Sequence, residues 1–221
     1  GTASVIDGNN IGGIAMYTAS NASTLSGMLC GIAVTGGNVT VSNNIIGSAV
    51  SANSIYAATS ATGGTIVGIY TNASDSVTIQ NNTIAAITAS STLNTRVAGF
   101  TAIKSEGTAN YALINNFIGN NNAGNLRIGL ATAGASLSSI GSLVSTTGTG
   151  ALFNGITCSS TGNIRTITGN TFRGWSSSST KAGIRAVVSS GTMTGVSPQL
   201  TINNNFFGTA ATSWGNSVTA I

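Results

Sequence analysis

The sequence predicts an all-β chain wound as a right-handed parallel β-helix, a solenoid of about six turns with three short strands each. Three observations predict it. A corner phrase, typified by residues 77–84 (VTIQNNTI), recurs along the whole chain. A second phrase, with Gly beside apolar residues, precedes each later copy of the first. Turn formers take the place of charge, since 5% of residues are charged against about 25% in an ordinary soluble domain.

Composition narrows the class. With 41% apolar residues the chain lacks the disorder signature of low hydrophobicity and high net charge. Its apolar runs are too short for a transmembrane helix, which needs about 20 residues, so no membrane span is expected. The polar surface must be Ser, Thr, Asn and Gly, which favour turns, while Thr, Val and Ile favour strands. All seven cations (Arg96, Lys104, Arg127, Arg165, Arg173, Lys181 and Arg185) fall singly in the later part of the chain. A nucleic-acid surface needs them clustered, so no nucleic-acid partner is expected. Cys30 and Cys158 lie in apolar runs and read as small buried hydrophobes rather than a disulfide framework or a metal site.

The corner phrase has the pattern I-x-[N/G]-N-x-[I/F]. Its second Asn falls at Asn9, Asn44, Asn82, Asn116, Asn170 and Asn205, and residues 137–141 (LSSIG) read as a degenerate copy that puts Ser139 in the series. The steps are then 35, 38, 34, 23, 31 and 35 residues. The second phrase carries Gly31, Gly68, Gly99, Gly129, Gly155 and Gly183. One unit therefore holds three strands: the Gly strand, an alternating strand before the Asn, and a strand just after it. Such a unit cannot bury its apolar face alone and must stack on its neighbours at about 4.8 Å. The variable stretches 47–64, 88–95, 176–180 and 189–199 read as loops, where solenoids place function.

The Asn pair joins two strands with almost no linker. That bend needs a residue tolerant of the left-handed conformation, and Gly8 and Gly169 stand in at the neighbouring position. Stacked copies also let side-chain amides bond up and down a ladder. The six Asn are therefore read as structural, and so are the six Gly.

At these residues the chain resembles a known group. The Gly-apolar strand followed by V-T-I-x-N-N-x-I is similar to the right-handed parallel β-helix of pectin-active enzymes and phage tailspikes. Its low-charge, Ser/Thr/Gly-rich form resembles the repeat regions of large secreted surface proteins and adhesins, such as those of gliding Bacteroidetes. The pectin-active enzymes carry aspartates, a histidine and basic residues on the Gly strands; here those strands read GIAV, GIYT, GFTA and GITC, and the chain has no histidine. Asp7, Asp75 and Glu106 are its only carboxylates. Asp75 and Glu106 each follow their unit's Gly by seven residues (Gly68 and Gly99) and are expected to stack near Lys104 as a solvated charge pair. Calcium wants six or more oxygens, and a Ser-His-Asp triad is ruled out without histidine. No catalytic residue, cofactor or metal is expected.

Both ends are cut within a repeat and lack polar caps, so residues 1–221 are expected to be a single solenoid segment of a longer repetitive protein, or a coil whose ends are covered by partners. The expected role is a non-catalytic structural or adhesive segment of a secreted bacterial cell-surface protein. Its partners would be neighbouring repeats of the parent chain, secretion or anchoring proteins, or surface glycans. A second reading is carbohydrate binding or processing, with Tyr56, Tyr70, Trp175 and Trp214 as candidate stacking residues. A third is ice binding, which needs a regular Thr row; the unequal steps argue against one.

Overall fold

The computed structural model describes residues 3–208, apart from 25–26, 52–53, 94–96, 123, 132–142, 145 and 195–196. Among the described residues every regular element is a strand. The strands build a parallel β-solenoid with four sheets rather than three. Sheet A holds the alternating strands before each corner: Ser4–Asp7, Val39–Ser42, Ser76–Gln80, Asn110–Ile114, Ile164–Thr168 and Gln199–Asn203. Sheet B holds the short strands after it: Asn10–Ile11, Ile45–Gly47, Thr83–Ala85, Phe117–Ile118, Thr171–Phe172 and Phe206–Phe207. Sheet D holds the Gly strands Leu29–Val34, Thr65–Ala73, Gly99–Gly107, Thr146–Cys158 and Ser179–Ser189.

The fourth wall is sheet C: Ile14–Thr18, Ile55–Thr59, Ile87–Ser91, Leu126–Ala131 and Trp175–Ser177. It runs through stretches 47–64, 88–95 and 176–180, which were expected to be loops. Apart from Tyr56, the residues of its strands there are β-branched or small, and stacking on the next rung buries them regardless of alternation: Ile55–Thr59 and Ile87–Ser91 are buried at every position. The chain enters sheet C through a second left-handed corner at Gly13, Gly47, Ala86, Gly119 and Gly174, and Gly208 takes the same conformation on the last described rung. That column was legible as a Gly three or four residues after each ladder Asn except Asn82, where Ala86 stands in its place.

Turn count changes with it. The Asn116 side chain meets Asn170 directly, 54 residues on, so the ladder passes from one to the other without an intervening rung; residues 137–141, Ser139 among them, lie outside the described residues. The six rungs of sheets A and B enclose five turns, about 24 Å at the usual strand spacing. Part of the longest turn is Leu143–Val144, which pairs antiparallel with the end of Leu126–Ala131.

Register also rearranges the glycines. Gly31, Gly68, Ala102, Gly155 and Ala186 share one column of sheet D, fixed by the pairs on either side of each. Gly99 aligns with Thr65, and Gly183 with Leu152, three positions earlier. Gly129 lies in sheet C opposite Ser90. What the true column requires is small volume facing sheet B: a Cβ on Gly31 would lie 2.9 Å from Ile46, on Gly68 3.0 Å from Ile84, and on Gly155 2.5 Å from Phe172. Ala meets that requirement at positions 102 and 186, so a search for Gly alone misaligned the phrase.

The core is a set of columns along the axis. Ile46, Ile84, Ile118 and Phe172 line sheet B; Val41, Ile79, Leu113 and Ile167 line sheet A; Ile32, Ile69, Ile103 and Ile156 line sheet D. The outer face of sheet A carries Val5, Thr40, Thr78, Ala112, Thr166 and Thr201 in one register row. Unequal steps therefore do not prevent a regular row, because the inserted residues leave the strands. Val5 and Ala112 interrupt the Thr run itself.

Candidate functional site

Two polar arrangements stand out, one inside the coil and one on its surface. The first is the corner between sheets A and B, where the two residues of each pair divide the work. The first residue takes the left-handed conformation: Gly8, Asn43, Asn81, Asn115, Gly169 and Asn204 have φ between 52° and 67°. The second residue makes the ladder. Each backbone N–H of Asn9, Asn44, Asn82, Asn116 and Asn170 donates to the Oδ1 of the next Asn at 2.9–3.1 Å, and each Nδ2 donates to the same oxygen at 2.8–3.0 Å. Asn44, Asn82 and Asn170 are fully buried. Their amides are spent within the coil and offer nothing to a ligand.

The second arrangement is a trough along the outer face of sheet D. Two register rows form it: Cys30, Val67, Thr101, Asn154 and Arg185, and beside them Ala33, Tyr70, Lys104, Thr157 and Val188. A cavity of about 280 Å³ opens there, bounded by Ser23, Thr65, Val67, Thr101, Lys104 and Asn154. Asn154 is 8% exposed; its Nδ2 reaches Thr101 Oγ1 at 3.4 Å, and its Oδ1 has no protein partner. The neighbouring Thr157 hydroxyl has none either. Buried polar atoms are normally paired, so these two have unused hydrogen-bonding capacity.

Charge lies at the trough's edge. Lys104 Nζ is 3.1 Å from Glu106 Oε1, and Tyr70 donates its hydroxyl to Glu106 Oε2 at 3.1 Å. The Lys104 ammonium also lies 5.6 Å from the Tyr70 ring centre. Burial, reinforced by the Glu106 carboxylate, pushes the Tyr70 phenol up to about 12. Glu106 pairs in register with Asn72, not with Asp75, so the expected Asp75–Glu106 stack does not form. The cause is the register of Gly99, which is not the equivalent of Gly68. Among the described residues no group of three metal-ligating side chains gathers.

The aromatic candidates are mostly inside. Trp175 is 6% exposed, donates its Nε1–H to the Ile118 carbonyl at 3.1 Å and stacks on Phe153 with ring centres 4.6 Å apart. It is a core residue and not a ligand platform. The reason is its place in sheet C, an inward position that the missed fourth wall had hidden. Tyr56 and Tyr70 are buried as well, and Trp214 lies outside the described residues. An unforeseen buried cation is Arg165, on the inner face of sheet A. It donates to the Ser160 and Gly191 carbonyls and the Ser189 hydroxyl, tying two turns together. No protein-family model, curated protein or solved structure matches the chain.

Proposed function

We propose that this chain is a non-catalytic structural and adhesive segment of a secreted bacterial cell-surface protein, working outside the cell. The observation that carries this reading is the ladder. It spends the corner amides on holding a rod together and leaves outer faces built mostly from neutral side chains. Such a rod acts as a spacer, presenting its surface to neighbouring repeats, to secretion or anchoring proteins, or to surface glycans. The test is deletion of residues 1–221 from the parent protein in its native cells. Loss of surface attachment or assembly is expected, and unchanged attachment would overturn the reading.

The trough supports a second reading, binding of a carbohydrate. Its unpaired amide and hydroxyl oxygens, beside an ammonium and a carboxylate, suit a polyhydroxylated ligand. Binding on a glycan array is expected, reduced at least tenfold in Lys104→Ala with the melting temperature unchanged. A blank array, with no degradation of any polysaccharide offered, would remove it.

A further inference from the structure

The trough is a product of the small-residue column of sheet D. In three rungs two consecutive residues face the core: Gly68 and Ile69, Ala102 and Ile103, Gly155 and Ile156. Strand alternation slips by one position there. The residues on either side therefore both lie on the outer side: Val67 with Tyr70, Thr101 with Lys104, Asn154 with Thr157. All three rungs are interior to the sheet, with a further strand stacked on each side of them.

Three properties of the cavity between these rows restrict its occupant. It is small: about 280 Å³ is at the lower edge for a small-molecule site, with room for one sugar unit rather than a run of them. It offers no ring to stack on among the described residues, because Tyr70 is buried beneath the Lys104 ammonium and Trp175 lies inside the coil. Its cation is already matched, since Lys104 is held by Glu106. The next cation of the row, Arg185, lies one rung beyond Asn154 and outside the lining. An acidic sugar thus gains no unmatched cation in the cavity, and an amino sugar bearing an ammonium meets the Lys104 charge.

What the lining does offer is one acceptor, one hydroxyl and an apolar wall. Asn154 Oδ1 and the Thr157 hydroxyl have no partner among the described residues, and the Asn154 side chain is more than nine-tenths buried. An amide oxygen only accepts, whereas a hydroxyl can donate. The apolar contact comes from Val67 and from Leu152, which is 41% exposed. An acetamido group matches this set with one donor, one acceptor and one methyl held in a plane. A sugar hydroxyl in its place brings no methyl and leaves part of the set unused. We propose, resting on the carbohydrate reading of the trough, that it holds a neutral glycan by one N-acetylated amino sugar. The acetamido N–H donates to Asn154 Oδ1, its carbonyl accepts from the Thr157 hydroxyl, and its methyl rests against Val67 and Leu152.

The experiment is isothermal titration calorimetry of the whole chain with chitotriose, cellotriose and fully deacetylated chitotriose. The three differ in one substituent per ring: acetamido, hydroxyl or ammonium. Chitotriose is expected to bind, and each of the others at least about tenfold more weakly, the loss of one well-made hydrogen bond. Asn154→Leu and Thr157→Val each remove a polar group at nearly constant shape. Each is expected to weaken chitotriose at least about tenfold, with the melting temperature unchanged or raised, because a buried group without a partner contributes no stability. Variants that bind chitotriose like the wild type overturn the proposal. Equal binding of chitotriose and cellotriose overturns it too and leaves the carbohydrate reading standing, as does an array on which only sugars without an acetamido group bind. A blank array removes both.

Discussion

The corner between sheets A and B and the flank made by sheets C and D draw on similar residues but are held differently. The corner is two residues long in every rung, with one backbone conformation and one hydrogen-bond pattern. The flank varies in length from turn to turn, and volume holds it: small residues in the column of Gly68 and Gly155 face large ones in sheet B, and an aromatic cluster fills its later turns. A hydrogen-bonded corner tolerates almost no chemical substitution, whereas a packed flank accepts any pair of residues whose volumes add up correctly.

The largest expected effect tests the flank. Trp175→Ala should cost about 4 kcal/mol in urea unfolding, because it empties a site stacked on Phe153 and packed edge-to-face against Phe172. A loss under about 1 kcal/mol would mean the flank is not held by packing. The next tests the corner's division of labour. Asn82→Gly should cost about 3 kcal/mol, since it strands buried Asn44 donors and the Val41 carbonyl. Asn81→Gly, one residue earlier, should change stability by less than about 0.5 kcal/mol, because only the φ of 57° matters there. Equal effects at the two positions would erase the distinction drawn between them.

Gly155→Ala should cost about 2 kcal/mol, its Cβ falling 2.5 Å from Phe172 and 2.4 Å from the Ala186 carbonyl. Replacing Phe172 with Ile in the same chain should return part of that loss if volume is the constraint. Gly183→Ala, whose Cβ meets only Leu152 at 3.3 Å, should be nearly silent. The smallest effect is on pH. Burial raises Cys30 to about 11 and, with help from Glu106, Tyr70 to about 12, and it raises Tyr111 and Cys158 as well. A raised group stabilises the fold below its unfolded value and loses that contribution as pH climbs toward the folded value. Stability should therefore be flat from about pH 5 to 8 and fall between about pH 9 and 12, where unfolded thiols and phenols ionise first. No thermal hysteresis is expected, since Val5 and Ala112 break the Thr row and the adjacent row from Asp7 to Asn203 is irregular.

The solenoid and its ladder were legible because they rest on local chemistry repeated in register. An Asn pair between an alternating strand and an apolar residue has few other uses, and six copies exclude accident. Sheet C was not legible because its strands, such as Ile55–Thr59 and Ile87–Ser91, are buried on both faces and show no alternation. The trough was half legible: Lys104 and Glu106 were seen together, but Asn154 was not, since nothing local marks an amide that only its neighbours on other rungs enclose.

By itself the sequence determined the coil, the corner and the ladder, because backbone conformation and amide pairing act over two or three adjacent residues. Only the tertiary structure decided the number of walls, the register of the glycines, the burial of Trp175 and the place of the trough. Those depend on which side chains face one another across the core or along the stack, dozens of residues apart, and volume can be filled in many ways that local sequence does not distinguish.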